Sequence, residues 1–225
     1  MPFEHTIDDR SQLRRFYAEP FPAVKAKQID HVDAGAAAVL ARSPFAVLAT
    51  TGRHGVDASP RGGPPGFIRV IDERRLAIGD LSGNRRLDSF ENVLDDPHIG
   101  LLCFVPGMSE TLRVNGRASL TTDPEVLDRC TVDEVRPGVA LGIDVDEVFL
   151  HCAKAFRRSG LWNPETWPEA EGRPTAGQIF KAHLNLDVDA ELIDADLEQG
   201  YELTMWEPGG TDVPVDAAPE AAPPS

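Results

Sequence analysis

The sequence predicts a small antiparallel β-barrel decorated with helices. The first observation is a series of short apolar runs of strand length, six or seven in all, that begins at residue 45. The second is that tight turns join neighbouring runs, as at residues 51–55 and 72–74. Such short connections favour antiparallel pairing, because a parallel pair needs a crossover of about a dozen residues or more. The third is that helical patterns interrupt the strands at only a few points.

The N-terminal residues 1–43 form a helical segment in this prediction. Ser11 can cap a helix over 12–17, which the prolines at 20 and 22 then break. Apolar residues at helical spacing predict a second helix over 30–42, and a proline at 44 ends it.

The predicted barrel occupies residues 44–162. A helix over 87–94, capped by Asn84 or Asp88, and a helix over 124–130 are inserted between its strands. The last strand is one long element or a bent pair. The predicted strands are 45–50, 56–59, 67–71, 76–78, 99–105, 110–120 and the region 139–152.

Residues 163–206 form a predicted C-terminal helical extension, with helices over 175–184 and 189–205. Beyond them, residues 207–225 are rich in proline and alanine and lack apolar periodicity, which predicts a disordered tail.

The charge of the chain excludes some classes of partner. Its 37 acidic residues against 22 basic ones give a formal net charge of -15, which opposes binding to nucleic acid and to anionic membranes. No signal sequence and no apolar run of about 20 residues is present, so we expect a cytoplasmic protein. The three cysteines are too widely spaced to indicate a metal site.

Two adjacent arginines at the start of a predicted helix indicate an anion site. Arg85 and Arg86 would place guanidinium groups beside free backbone amides, where a phosphate binds well. The preceding Gly83 and Asn84 favour this interpretation, because they allow close backbone approach and left-handed conformations. The alternative is that the arginines pair with acidic residues of the helix, such as Asp88.

A rigid loop upstream suits a flat ligand. Residues 59–66 contain three prolines and three glycines around Arg61, which leaves little side-chain bulk. The alternative is a bulge that bends an edge strand. Farther along, a cationic and aromatic cluster that includes Lys154 and Trp162 could cover an anionic ligand, or it could anchor the chain as it leaves the barrel.

Several of these segments resemble the pyridoxamine 5'-phosphate oxidase-like, split-barrel flavoproteins. Residues 83–87 and 96–102 are similar to the segment S-R-K … N-P-x-x-x-L-L of that family, and residues 110–118 are similar to the strand that follows it. The combination of residues 59–67 with residues 83–89 is more specific and resembles a bacterial subgroup described as FMN-dependent enzymes. The resemblance implies a homodimeric, six-stranded split barrel with FMN in a groove between the subunits.

Matched residue by residue, the resemblance implies a cofactor site. Arg85 and Arg86 fall where an Arg-Lys pair holds the FMN phosphate, with Arg86 expected to contribute more, and Asn84 replaces a serine. Asp80 falls on a small hydroxyl residue, which is a departure from the pattern. The remaining expected contacts are Arg69 at a second phosphate-binding position, Ser59, Pro60 and Arg61 facing the flavin ring, Thr111 in place of a glutamine, and Lys154 with Trp162 from the cationic cluster.

The predicted function is that of an FMN-dependent oxidoreductase that transfers hydride through flavin N5 between small-molecule donors and acceptors. The motif that binds substrate in true pyridoxamine phosphate oxidases is not recognisable, so we do not expect oxidation of that vitamin. No side chain is assigned a catalytic role. The alternatives are a deazaflavin-dependent reductase and a non-catalytic protein that binds flavin or haem.

Overall fold

The computed structural model describes residues 3–169 and 172–210. In this part of the chain seven strands form one sheet in which all pairs of neighbours are antiparallel. The strands are β1 (Phe45–Gly52), β2 (Gly55–Gly62), β3 (Ile68–Val70), β4 (Arg75–Gly79), β5 (His98–Phe104), β6 (Thr111–Thr121) and β7 (Ala140–His151). Their order in the sheet is β2-β1-β5-β6-β7-β4-β3, so β2 and β3 are the edge strands.

Helices lie before, between and after the strands. None of them, among the residues described, is long and apolar enough to cross a membrane. The helices are α1 (Arg10–Arg14), α2 (Pro22–Ala26), α3 (Ala34–Leu40), α4 (Asp88–Asp95), α5 (Pro124–Arg129), α6 (Lys154–Ser159), α7 (Ala176–Leu184) and α8 (Ala190–Thr204), with a short 3-10 turn at Pro164–Thr166.

The core lies on one face of the central strands. Side chains alternate between the two faces of a strand, and the inward positions of β1, Ala46 and Leu48, are fully buried. Their neighbours on β5 and β6 continue the same buried layer, with Leu101 and Val114 also fully buried. Phe45, which points the other way, is 42% exposed. Burial therefore alternates along β1 even though its first five residues are all apolar.

The prediction of a mainly β, antiparallel fold with added helices is confirmed. The sheet differs from a six-stranded barrel: in the described residues it has seven strands, and its two edge strands do not pair with each other. The region predicted as one strand or a bent pair is a single strand, β7.

Three helix boundaries differ from the prediction for local reasons. Helix α1 begins at Arg10 rather than at 12, because Asp9 and not Ser11 caps it by accepting a hydrogen bond of 2.8 Å from the backbone N–H of Gln12. Helix α3 begins at Ala34 rather than at 30, because the Asp33 carboxylate accepts a hydrogen bond of 2.7 Å from the backbone N–H of Ala36 and caps the helix there. Pro22 does not end a helix but begins α2, where the missing N–H of proline costs nothing. Helix α6, in the cationic and aromatic cluster, was not predicted.

Helix α4 is held against β1 by a buried side-chain contact. The Asn92 amide donates a hydrogen bond of 3.0 Å to the Thr50 hydroxyl, and both side chains are buried. Gly52 allows the close approach, since a Cβ there would lie 2.3 Å from Asn92 Oδ1. This contact fixes the position of α4 relative to the sheet.

Replacing Asn92 with alanine is expected to lower the free energy of unfolding by about 1–3 kcal/mol, because the Thr50 hydroxyl would stay buried without its partner. Denaturant unfolding of Asn92→Ala measures this loss. Adding Thr50→Val removes the unpaired hydroxyl and should recover part of it. An unchanged midpoint in Asn92→Ala would show that the contact does not hold the helix.

Candidate functional site

A cavity of about 680 Å3 opens between edge strand β2, the end of β4, the start of α4 and the last described residues of the chain. Its wall combines polar groups with apolar side chains. The lining residues are Ser59, Pro60, Arg61, Gly62, Phe67, Ile78, Gly79, Asp80, Leu81, Ser82, Gly83, Asn84, Arg85, Leu87, Asp88, Ser89, Phe90, Leu141, Glu207, Pro208, Gly209 and Gly210.

One wall of the cavity is the second half of β2. Pro60 cannot donate to a sheet ladder, and it is tolerated because β2 is an edge strand. The Asp57 carboxylate accepts hydrogen bonds from the hydroxyls of Ser59 at 2.7 Å and Ser89 at 3.2 Å, which connects β2 to the start of α4. These hydrogen bonds, that from Ser59 first, hold the pKa of Asp57 below its ordinary value.

A turn of unusual backbone conformation forms the next wall. Arg85 and Leu87 both have left-handed φ angles, 57° and 58°. The Asn84 side chain accepts a hydrogen bond of 3.0 Å from the backbone N–H of Arg86 and stabilises the turn. Helix α4 then begins at Asp88, directly after Leu87, so neither Asn84 nor Asp88 is its N-cap as predicted.

The two arginines of this turn point to different places. Arg85 lines the cavity. Arg86 is not among the lining residues; its side chain is 72% exposed and forms hydrogen bonds of 2.8 and 3.4 Å to the Asp88 carboxylate. That pairing raises the pKa of Arg86. The structure therefore brings one arginine of the predicted pair to the site, while the other makes the alternative contact with the helix.

Asp80, directly after β4, and Arg61, on β2, both line the cavity. Burial raises the pKa of the Asp80 carboxyl, and the nearby Arg61 opposes this shift. Burial lowers the pKa of Arg61, against the attraction of Asp80 and Asp57. The two groups thus form a partly dehydrated pair of opposite charges, in which each stabilises the charged form of the other.

The last wall comes from the C-terminal segment, residues 207–210. Its backbone pairs with the chain after β4: the Ser82 N–H donates to the Glu207 carbonyl at 2.8 Å, and the Gly209 N–H donates to the Asp80 carbonyl at 3.1 Å. On its other side, the Gly138 N–H donates to the Gly209 carbonyl at 3.1 Å. This segment belongs to the region 207–225 that was predicted to be a disordered tail. The rest of that tail, residues 211–225, lies outside the described residues.

The structure brings six of the eleven predicted contacts together and leaves five away from the cavity. Those that line it are Ser59, Pro60, Arg61, Asp80, Asn84 and Arg85. Those that do not are Arg69, Arg86, Thr111, Lys154 and Trp162.

Other contacts explain the positions of the second group. The Arg69 guanidinium donates to the carbonyls of Gly66 and Thr131, at 2.9 and 3.1 Å. Trp162 donates to the Met108 carbonyl at 2.9 Å and stacks on Phe156, so it anchors the chain leaving the sheet. Thr111 is buried at the start of β6, and Lys154 is exposed at the start of α6.

Sequence reasoning missed two parts of the site. Ser89 was considered only as part of the turn, and its bond to Asp57 depends on how α4 packs on the sheet. The C-terminal segment was missed because its composition resembles that of a disordered tail. Its adjacent Gly209 and Gly210 were the available signal, since paired glycines permit close packing of the backbone.

A sequence profile of the family described as pyridoxamine 5'-phosphate oxidase matches residues 32–152, which is more than half of the chain. The match includes the strands that form the cavity and helix α4, but not the C-terminal segment. A search of curated proteins finds no significant match.

Solved structures with a similar chain course include several bacterial proteins. HupZ of Group A Streptococcus is 14% identical, with a TM-score of 0.44, and the match covers 53% of this chain and 99% of HupZ. An FMN-binding protein from Syntrophomonas wolfei is 12% identical, with a TM-score of 0.41 and coverage of 51% and 81%. General Stress Protein 26 from Bacillus anthracis is 15% identical, with a TM-score of 0.36 and coverage of 50% and 88%.

Proposed function

Because this chain belongs to the pyridoxamine 5'-phosphate oxidase family, we propose that it is a flavoprotein that binds FMN in the cavity and acts as an FMN-dependent oxidoreductase. The observation that carries the proposal is that the cavity unites two separate segments of the sequence, 59–62 and 80–85. These are the segments expected to hold the flavin ring and the phosphate.

The residues present fit such a cofactor. A volume of about 680 Å3 lies within the range of about 300–1,000 Å3 typical of small-molecule sites. Arg85 and the start of α4 supply the positive end that a phosphate needs. Gly83 leaves open space beside this turn, since a Cβ there would meet nothing within 4 Å. Apolar side chains from β4 and β7, Ile78 and Leu141, supply a surface for a flat ring.

In this proposal each wall has a distinct role. Arg85 would bind the phosphate, while Ser59 and Arg61 would lie along the ring. Phe67 and Leu141 would exclude water from the ring side of the cavity. Bound FMN would supply hydride transfer at its N5 atom. Arg61 would favour an added negative charge on the ring, and no side chain is assigned as general acid or base.

The proposal is tested by the ligand that the protein retains on purification. We expect a flavin absorption spectrum and the mass of FMN in the released ligand, and reduction of the bound flavin by a nicotinamide donor. A deazaflavin or haem mass would instead favour the alternative cofactors. A flavin that no donor reduces and no acceptor reoxidises would favour a non-catalytic binding protein. A colourless protein that FMN does not load would refute the proposal.

We also propose that the protein is a homodimer. A row of aromatic rings runs along the outer side of the sheet: Phe45 to Phe104 at 5.6 Å, Phe104 to Phe156 at 5.7 Å, and Phe156 to Trp162 at 5.5 Å between centroids. Such a row is apolar surface of the kind that subunit interfaces cover. Sedimentation analysis would detect the dimer, and Phe45→Glu should shift it towards monomer.

A further inference from the structure

The C-terminal segment encloses the Asp80 side chain at the edge of the cavity. Gly209 is buried, and a Cβ built on it would lie 2.1 Å from Asp80 Oδ2 and 3.1 Å from the Asp80 backbone carbon. Gly210 continues in a left-handed conformation, with φ of 76°, against Val139. The two glycines thus fit a narrow slot, and they place backbone directly over a carboxylate that would otherwise face solvent.

Charged groups from β2, the turn, α4 and the C-terminal segment lie at or near this part of the cavity. Among them, Arg61 attracts Asp80, and burial raises the pKa of Asp80. A raised pKa means that the carboxyl becomes neutral at a higher pH than an ordinary aspartate does. The charged groups are Arg61 and Asp57 from β2, Arg85 and Asp88 from the turn and α4, and Glu207 from the C-terminal segment.

We propose that Asp80 is a specificity-determining residue whose charged form offsets the charge of Arg61 and repels the phosphate of the ligand, and which thereby sets how tightly the cavity binds phosphorylated flavin. This inference rests on the proposed function of the same site. In its charged form, Asp80 offsets the charge of Arg61 and repels a phosphate in the same cavity. In its neutral form, it leaves Arg61 available to the ligand.

The physical reason is the low effective dielectric of a partly closed cavity. Two unit charges several ångströms apart in such a cavity interact strongly enough to change ligand affinity about tenfold or more. In bulk water the same interaction energy would be severalfold smaller. The C-terminal segment is what excludes the water. Affinity for FMN should therefore fall as pH rises through the pKa of Asp80, and the segment should control the pH at which this happens.

The test compares FMN binding by the full-length wild-type protein and by Asp80→Asn, by quenching of flavin fluorescence from about pH 4, the ordinary range of an aspartate, to about pH 8. We expect Asp80→Asn to bind FMN about tenfold more tightly at the upper end. The ratio of the FMN affinity of Asp80→Asn to that of the wild type should approach one as pH falls, because a protonated aspartate is neutral like asparagine. The FMN phosphate itself titrates near pH 6, but it does so equally for both proteins. Riboflavin, which lacks the phosphate, should show a smaller ratio.

Three further variants test whether the effect on FMN affinity is specific to Asp80 and to the C-terminal segment. Asp95→Asn removes one negative charge from α4 at an exposed pair with Arg53, outside the cavity, and should leave the affinity unchanged. Gly209→Ala should push the C-terminal segment off Asp80 and move the fall in affinity to lower pH. Gly200→Ala, which meets nothing within 4 Å, is its matched control. If Asp80→Asn does not fold, the shift in Gly209→Ala decides.

The outcomes separate this inference from the proposed function. Binding by Asp80→Asn that equals the wild type at every pH would overturn the inference and leave the FMN site intact. Weaker FMN binding by Asp80→Asn would show that the Asp80 carboxylate strengthens binding by accepting a hydrogen bond, which would also overturn the inference. FMN binding by Asp80→Asn but not by the wild type would support the inference. If neither protein binds FMN, the proposed function fails, and the inference fails with it.

Discussion

Arg85→Ala is expected to weaken FMN binding by about 1.5–3 kcal/mol, the scale of a hydrogen bond to a charged group. Arg85 is the arginine of the predicted pair that lines the cavity, beside the start of α4. Its left-handed φ of 57° is equally unfavourable for alanine, so the substitution changes the side chain without adding backbone strain. Calorimetric titration with FMN measures the loss, and thermal unfolding of the ligand-free variant checks that the fold is kept.

Arg86→Ala is the matched control, because this neighbouring arginine pairs with Asp88 on the exposed side of the turn. Its expected effect on FMN affinity is less than about threefold, since an exposed ion pair contributes little. This order reverses the one expected from sequence, where Arg86 was given the larger share. A larger loss in Arg86→Ala than in Arg85→Ala would place the phosphate on the outer side of the turn.

Gly116→Ala is expected to destabilise the fold by about 3 kcal/mol, towards the upper end of the cost of overpacking. The pairing of β6 with β7 shifts register between Asn115 and Gly116, and there a Cβ would lie 2.1 Å from the Asp144 carbonyl oxygen. The clash is with backbone in the longest strand pair of the sheet, so relief requires movement of β7. Denaturant unfolding measures the loss.

Gly100→Ala on the adjacent strand β5 is the control for glycine removal itself. A Cβ there would come no closer than 3.4 Å to the side-chain oxygen of Asn115, which can turn aside. We expect a change within about 1 kcal/mol, with the entropy gained from losing a glycine offsetting the small contact. Equal losses in the two variants would show that the register shift is not a point of strain.

The parts of the site that sequence could predict are those set by local chemistry. Pro60 requires an edge strand, and the edge strand is what borders an open cavity. Asn84 favours a turn by accepting from the backbone two residues on, as the structure shows. The alternation of Leu112, Val114 and Ala118 with polar neighbours likewise indicated the buried face of β6. Each of these depends on neighbours within a few residues or on a period of two.

The parts that sequence could not predict depend on packing between distant segments. Whether Arg85 or Arg86 turns inward is set by the two left-handed residues and by the competing carboxylate of Asp88. Trp162 joins an aromatic row through Phe156, which removes it from the expected cofactor site. The C-terminal segment pairs with the chain just after β4, more than a hundred residues earlier, and its composition gives no sign of that partner.

The most direct test of FMN binding in this cavity is a crystal structure of the protein with saturating FMN. We predict that the phosphate contacts Arg85 and the backbone at the start of α4, and that the flavin ring lies against residues 59–62 with the C-terminal segment beside it. FMN bound elsewhere on the chain, or a cavity that remains free of flavin at saturation, would contradict the proposed site.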